Sequence, residues 1–171
     1  MLDFSEVKTE KLARYHDISG FDCEDEDIND FLKKDALGYQ EKKVATTTIF
    51  IYKDEIIGFF SAAADSLKLR LSEKEEALLQ HKPIPEFPAI KIARLGRDRR
   101  YKNQLVGGNI LKWAIGYILN CSEMVAVRFV TVDAYPNRVT WYEKYGFKQN
   151  AYYARKDRHV SMRYDIFNLQ K

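Results

Sequence analysis

Two stretches of the 171-residue chain carry residue types that can hold phosphate and move a proton. The first, Arg99 to Leu119, reads RRYKNQLVGGNILKWAIGYIL. Arg97, Arg99, Arg100 and Lys102 lead into Gly107-Gly108, and the glycines lead into an apolar pattern of helical spacing. The first N–H groups of a helix lack intrahelical partners, and the helix dipole adds partial positive charge to them. A turn aiming several such amides at one point suits a phosphate, with basic side chains adding long-range attraction. The same letters equally suit a strand-to-helix connection with a solvated basic face. No Gly-Lys-Ser/Thr follows, so this is not a Walker turn, and Gly-x-Gly-x-x-Gly is absent.

The second stretch is NRVTWYEKYGF, Asn137 to Phe147. Tyr142 offers a phenol, which keeps its proton at neutral pH and can give it up to a stronger base. By itself it reads as a packed aromatic beside Trp141 and Tyr145, with Tyr145 the reserve candidate for an acid. Asp133, His81 and His159 are further titratable groups. A cap suits Asp133 as well as a part in proton transfer does, and the histidines read as solvated. The acidic run DCEDEDIND lacks the spacing of a calcium loop and reads as a helix start.

These residues need elements to position them. DEDINDFLKKDALGYQ places Ile28, Phe31, Leu32, Ala36 and Tyr39 on one helical face. TTTIFIYKDEIIGFFSAAA reads as a hairpin across Lys53-Asp54-Glu55. SEKEEALLQ has the capping-box spacing Ser72…Glu75 of a short helix, and Pro83, Pro85 and Pro88 exclude a helix from HKPIPEFPAI. AIKIARLG is a strand, followed by the turn and a helix from about Gly107 to Leu119. MVAVRFVTVDA reads as a central strand, and NRVTWYEKYGF as a short helix with Asn137 as N-cap and Gly146 as C′ glycine. AYYA and HVSMRYDI predict a last hairpin across residues 155–158, with Val160, Met162, Tyr164 and Ile166 on one face. The order is that of an α/β fold: a mixed central sheet with helices on both faces, in a single domain spanning 1–171.

An apolar content of 46% and a charged content of 31% suit a globular chain, and the net charge of +3 permits an anionic ligand without demanding one. No apolar run approaches the roughly 18 residues of a membrane span. The N-terminal MLDFSEVKTEK is charged and has no signal-peptide core, so a cytoplasmic location is expected. Cys23 and Cys121 show no metal-ligand spacing and read as free thiols.

Taken together, the strand KIARLGRD, the turn, the strand RFVTVDA and the segment NRVTWYEKYGF resemble the GNAT superfamily of acetyl-CoA-dependent N-acyltransferases. In that family the pyrophosphate turn reads Gln/Arg-x-x-Gly-x-Gly/Ala, and an Asn…Tyr-Glu-Lys-x-Gly-Phe segment closes the cofactor site. The second motif stands here nearly whole. The first is degenerate: Lys102 takes the Gln/Arg position, Asn103 replaces a glycine common there, and Leu105 replaces the first glycine. Leu105 keeps its N–H, but a left-handed backbone at a leucine would cost about 1–2 kcal/mol. The resemblance runs from about Phe21 to Ile166. FDCEDEDINDFLKKDALGYQ and TTTIFIYKDEIIGFFSAAADSL resemble the branch of bacterial toxin–antitoxin acetyltransferases.

The resemblance implies a GNAT fold and acetyl-CoA as co-substrate, with no metal. It assigns the pantetheine arm to the backbone of Leu95, Gly96 and Arg97. The pyrophosphate falls to Lys102, Asn103, Gln104, Leu105, Val106, Gly107 and Gly108. Asn137 contacts the cofactor from the other side, and Tyr142 is the acid that protonates the departing sulfur. In the toxin branch the acceptor is the α-amine of aminoacyl-tRNA, for which Lys33-Lys34, Lys42-Lys43 and Arg155-Lys156-Arg158 offer positive charge. A small amine or a peptide N-terminus is the competing acceptor. A homodimer and an antitoxin protein are partners the family allows. Two rivals stand beside this reading: a non-catalytic module binding coenzyme A or a protein, and a plain RNA-binding domain, which leaves WYEKYGF unexplained.

Overall fold

A short strand β1 (Lys8–Lys11) pairs antiparallel with β2 (Thr46–Tyr52), whose Thr-Thr-Thr-Ile-Phe-Ile-Tyr run is rich in β-formers. β2 in turn pairs with β3 (Glu55–Leu67) through a two-residue connection. Lys53 and Asp54 both take left-handed angles, φ 49° and 62°, the geometry whose twist matches that of the flanking strands. The structure, a computed structural model, describes residues 2–81, 83–153 and 158–169.

Between β1 and β2, Asp25 caps helix α1 (Glu26–Asp30), its carboxylate accepting the Ile28 N–H at 3.2 Å. The helix passes through a π turn at Phe31–Asp35 before α2 (Ala36–Glu41). That turn advances the face. Phe31, Leu32 and Ala36 are buried as their spacing predicts, but Tyr39 is exposed and Leu37 packs on the core instead.

Helix α3 (Leu71–Glu76) starts one residue before Ser72, with Arg70 as its N-cap residue. The reciprocal bond comes from Glu73, which accepts the Arg70 N–H at 2.8 Å, so the Ser72…Glu75 capping reading is replaced by Arg70…Glu73. Strand β4 (Phe87–Arg97) is followed by a short 3-10 turn at Arg99–Tyr101 and helix α4 (Val106–Ser122), longer than expected at both ends. Strand β5 covers only Phe129–Ala134, and Met124 and Val125 are exposed in the preceding turn. Helix α5 is Val139–Glu143. In the closing hairpin, β6 is Lys148–Gln149 rather than AYYA, and it pairs with β7 (Val160–Asp165). Ala151 and Tyr152 form a turn, and residues 154–157 lie outside the described set.

The sheet order is β1-β2-β3-β4-β5-β7-β6. β4 and β5 run parallel while β5–β7 and β6–β7 run antiparallel, so the sheet is mixed. Contacts group the chain into two units: 1–63 with 92–116, and 64–91 with 117–171. The first has its core in Leu12, Phe21, Phe31, Leu32, Ile49, Ile56 and Phe59. The second has Leu67, Leu69, Phe87, Ala89 and Phe129.

Two glycines in the first unit set how closely β3, β4 and α4 approach. A Cβ on Gly58 would stand 2.3 Å from Ile110 Cδ1 and 2.8 Å from the Gly96 carbonyl oxygen. One on Gly96 would stand 2.8 Å from Phe59 and 3.0 Å from Ile28. The 2.8 Å approaches to the Gly96 carbonyl and to Phe59 are shorter than real Cβ atoms show, so β3 and β4 pack this closely because neither residue has a side chain.

Candidate active site

The turn from β4 to α4 is built around a buried carboxylate that sequence reasoning passed over. Asp98 is 1% exposed. It accepts the Arg100 N–H at 2.9 Å, Arg100 Nε at 2.8 Å and the Asp22 N–H at 3.2 Å. Burial pushes its pKa up, but the bonds from the Arg100 side chain and backbone and from Asp22 outweigh that and hold it below the usual carboxylate range. Asp98 thus fixes the start of the turn. Its signal in the sequence was its place as the first non-glycine acid after a strand, which is too common to be read alone.

Beyond Asp98, Asn103 and Leu105 adopt left-handed backbones, φ 64° and 59°. The letter that departs from the family's glycine therefore occupies a glycine conformation. Leu105 avoids its neighbours by pointing outward, 75% exposed. Its carbonyl accepts the Asn109 N–H at 3.0 Å, the first bond of α4. The N–H groups of Leu105, Val106, Gly107 and Gly108 have no backbone acceptor among the described residues. Four donors in sequence at a helix start, two of them on glycines, fit a pyrophosphate. Gln104 accepts the Leu2 N–H at 3.0 Å through its side chain, so that amide is engaged internally. Lys102 is exposed, and its ammonium lies 3.2 Å from Glu24 Oε2. Leu95 and Arg97 are half-buried and Gly96 buried in β4, and Arg97 donates to the Asp98 carbonyl at 2.8 Å.

The second unit holds the other two candidates. Asn137 does not cap α5. It sits inside a 3-10 turn, Pro136–Arg138, because Pro136 at the first position sets a helical φ one residue too early for a cap at 137. The residue preceding α5 is Arg138, and Asn137's side chain is left exposed.

Tyr142 lies in α5, half-buried between Trp141 (ring centroids 4.8 Å) and Phe147 (5.4 Å), both edge-on. Among the described residues no group hydrogen-bonds its hydroxyl. Burial pushes the phenol up to about 12, with the Arg138 charge pulling weakly the other way. Gly146 ends the helix as its position predicts, at φ 89°. Its N–H donates to the Glu143 carbonyl at 3.0 Å and that of Phe147 to the Tyr142 carbonyl at 3.2 Å, the paired bonds of a Schellman cap. The reserve candidate Tyr145 shares this turn, its ring tilted at 56° to that of Trp141 with centroids 5.0 Å apart.

Asp133 is not a bare carboxylate. Lys91 Nζ lies 3.0 Å from its Oδ2 and 3.7 Å from Asp65, to which Thr131 donates at 2.5 Å. Burial pulls the Lys91 pKa down, yet the hydrogen bond to Asp133 and the charges of Asp133 and Asp65 carry it above the usual lysine value. Lys91 therefore stays cationic and neutralises Asp133. His81 and His159 are exposed, His159 lying against the Tyr135 ring at 5.0 Å. Among the described residues no three potential metal ligands come together.

No family model matches the chain. It is 25% identical over 146 residues to a probable toxin TacT of Sinorhizobium fredii, covering 78% of each chain. It is 23% identical over 124 residues to a tRNA-acetylating toxin of Mycobacterium tuberculosis, covering 72% of this chain and 73% of that one. Among solved structures, AtaT complexed with acetyl-methionyl-tRNAfMet superposes with a TM-score of 0.84 at 18% identity, over 96% of this chain and 97% of that one. An AtaT variant bound to acetyl-CoA and the C-terminus of the antitoxin AtaR superposes at 0.76, with 16% identity and 96% coverage of both. The fold is the GNAT fold.

Proposed function

We propose that this chain, a GNAT-fold homologue of acetyltransferase toxins, transfers the acetyl group of acetyl-CoA to the α-amine of an aminoacyl-tRNA. The observation that supports it most is the run of four amides, Leu105 to Gly108, without a backbone acceptor among the described residues at the start of α4. The changed letter preserves the backbone such a run needs, because Leu105 takes the angle of the glycine it replaces.

Acetyl-CoA supplies an activated acyl group as a thioester. The amides of residues 105–108 and the Lys102 ammonium hold its pyrophosphate, and the backbone of Leu95, Gly96 and Arg97 pairs with the pantetheine arm. Asn137, with its exposed amide, contacts the cofactor too. The incoming neutral amine would add to the thioester carbonyl, the added nitrogen would pass one proton to solvent water, and the C–S bond would break as the C–N bond becomes an amide. Tyr142, whose hydroxyl has no hydrogen-bond partner among the described residues, donates a hydrogen bond and a proton to the departing sulfur. Exposed Lys33, Lys42 and Lys43 meet the phosphates of the RNA. We read the chain as one domain acting in the cytoplasm, where acetyl-CoA and charged tRNA are both present. An antitoxin protein is its expected partner. No helix among the described residues is long and apolar enough to cross a membrane.

The test is incubation of purified protein with acetyl-CoA and charged tRNA, with mass spectrometry of the released aminoacyl group. N-acetylated amino acid formed by the wild type and lost in Tyr142→Phe supports the reading. Acetylation of free amines but not of charged tRNA moves the acceptor to small amines. No transfer to any amine, with coenzyme A still bound, leaves a binding module.

A further inference from the structure

Lys102, the cation nearest the unpaired amides in sequence, already has an anion. Both carboxylate oxygens of Glu24 face its ammonium, at 3.3 and 3.2 Å, and Arg97 Nη2 lies 3.8 Å from Glu24 Oε2. Glu24 reaches them from a loop held in a conformation its residue type disfavours, φ 65°. The strain persists because the loop is tied down on every side. Asp22 Oδ1 accepts the Glu24 N–H and the Asn29 Nδ2, each at 2.9 Å, and Asn29 Oδ1 accepts the Cys23 N–H at 2.9 Å. The loop is also fastened to the turn itself. The Arg99 N–H donates to the Asp22 carbonyl at 2.8 Å, Arg99 Nη1 pairs with Asp22 Oδ2 at 3.2 Å, and Asp98 accepts the Asp22 N–H.

A strained backbone that aims one carboxylate at two cations is a feature to be explained by what those cations do. Resting on the acetyl-CoA reading above, we propose that Glu24 is an internal counter-anion that the cofactor's phosphates displace. It neutralises Lys102 and Arg97 in the free protein and competes with coenzyme A for them. A phosphate carries more charge and more acceptor oxygens than a carboxylate, so it wins the cations, while the carboxylate left beside it repels it. The pair therefore sets a threshold: weakly charged anions fail to open it and the cofactor succeeds. Glu24 lowers cofactor affinity in exchange for selectivity, and its removal should raise that affinity.

The experiment is calorimetric titration of the full chain with acetyl-CoA, using wild type, Glu24→Gln, Glu24→Gly and Glu26→Gln. Glu24→Gly suits the left-handed backbone and guards against a loop disturbed by glutamine. Glu26→Gln removes the same charge two residues away and controls for the general field. The expected result is about three- to tenfold tighter binding in both Glu24 variants, shrinking as salt rises, with Glu26→Gln within about twofold of wild type. Wild-type binding with unchanged or weaker binding in both Glu24 variants overturns the inference and leaves the acetyl-CoA reading intact, since Glu24 would then be orienting Lys102. Equal tightening by Glu26→Gln overturns it in favour of a general field effect. Tightening toward uncharged tRNA alone, measured in parallel, overturns it in favour of an RNA contact. Absence of acetyl-CoA binding in every variant overturns it together with the cofactor reading.

Discussion

Replacing Leu105 by glycine is expected to leave the protein at least as stable as replacing it by alanine, the reverse of the usual order. Leu105 is 75% exposed, so about a quarter of its side chain is shielded. Full burial of a leucine stabilises by about 1.5–3 kcal/mol, and truncation here therefore loses only about 0.5 kcal/mol. Both variants lose that amount. Alanine retains the left-handed strain at φ 59°, which glycine relieves by about 1–2 kcal/mol. Against this, glycine gives the unfolded chain extra freedom, a cost of about 0.5–1 kcal/mol. Leu105→Gly should thus exceed Leu105→Ala by about 0.5–1 kcal/mol, whereas at a right-handed position it would fall short by a similar amount. Urea unfolding measures the difference as a shift in midpoint at constant slope. A glycine variant less stable than the alanine variant would show that the turn does not hold Leu105 left-handed. Acetyl-CoA titration of the same pair reads the second half of the reasoning. The glycine variant should bind as tightly as wild type or better, since the amide is kept and the approach widened.

Tyr142→Phe should lower turnover by about 10²–10⁴-fold while acetyl-CoA affinity changes less than about threefold, as measured by steady-state kinetics beside calorimetry. The hydroxyl has no hydrogen-bond partner among the described residues, so the substitution should leave thermal stability nearly unchanged, and an unaltered kcat would remove Tyr142 from the chemistry. Ultraviolet titration of the phenols should lose one late component, near pH 12, in that variant. Because the folded phenol is raised, its stabilising contribution is full below pH about 10 and is lost as the pH climbs through about 12. Asp98→Asn should destabilise by about 1–3 kcal/mol, since the buried acceptor of the Arg100 bonds loses its charge. The wild-type carboxyl is depressed, so its contribution is present above the unfolded value and lost as pH falls. The variant's stability should accordingly be flatter between about pH 5 and pH 2, and an equally steep acid limb would contradict the assignment. Gly146→Ala should cost about 1–2 kcal/mol in chemical denaturation, because φ 89° strains any side chain and the new Cβ would lie 3.1 Å from Tyr164.

The β2–β3 hairpin, the strand-to-helix turn after β4 and the C′ glycine were legible because each rests on local chemistry. Lys53-Asp54 and Gly146 take left-handed angles within a few residues of the elements they end, and Gly107-Gly108 open α4. The errors fall where a neighbouring element overrode a short pattern. Ser72…Glu75 has the spacing of a capping box, but Arg70 begins the helix because Glu73 reaches back to its amide at 2.8 Å. Asn137 is a good cap by type, yet Pro136 starts a 3-10 turn around it. Tyr39 was assigned by an unbroken 3.6-residue count, and a π turn at Phe31–Asp35 breaks that count without any glycine or proline to announce it. Least visible were contacts made across long sequence separations. The bond from Asp22 to Asp98 spans 76 residues and the pair of Glu24 with Lys102 spans 78. No spacing rule relates such residues, so the buried carboxylate and the counter-anion of the turn appear only when the chain is folded.

The value of about 12 for Tyr142 constrains how such a phenol can serve as an acid. A thiol ionises near pH 8.5, so complete transfer of a proton from this phenol to a thiolate is uphill by about 3.5 pKa units, or about 5 kcal/mol. A group so poised does not drive the reaction by giving its proton away early. On the proposed reading it would act late, offering a hydrogen bond to a sulfur whose negative charge grows as the C–S bond breaks and passing the proton only then. A hydroxyl without a hydrogen-bond partner among the described residues fits that role, because no interaction with them has to be broken before the donor can turn to the sulfur. Trp141 and Phe147 pack edge-on against the ring and bury the phenol, and on the proposed reading the same burial would keep water from the sulfur. On the proposed reading, the aromatic packing that makes Tyr142 look like an ordinary buried tyrosine would be the means by which it acts.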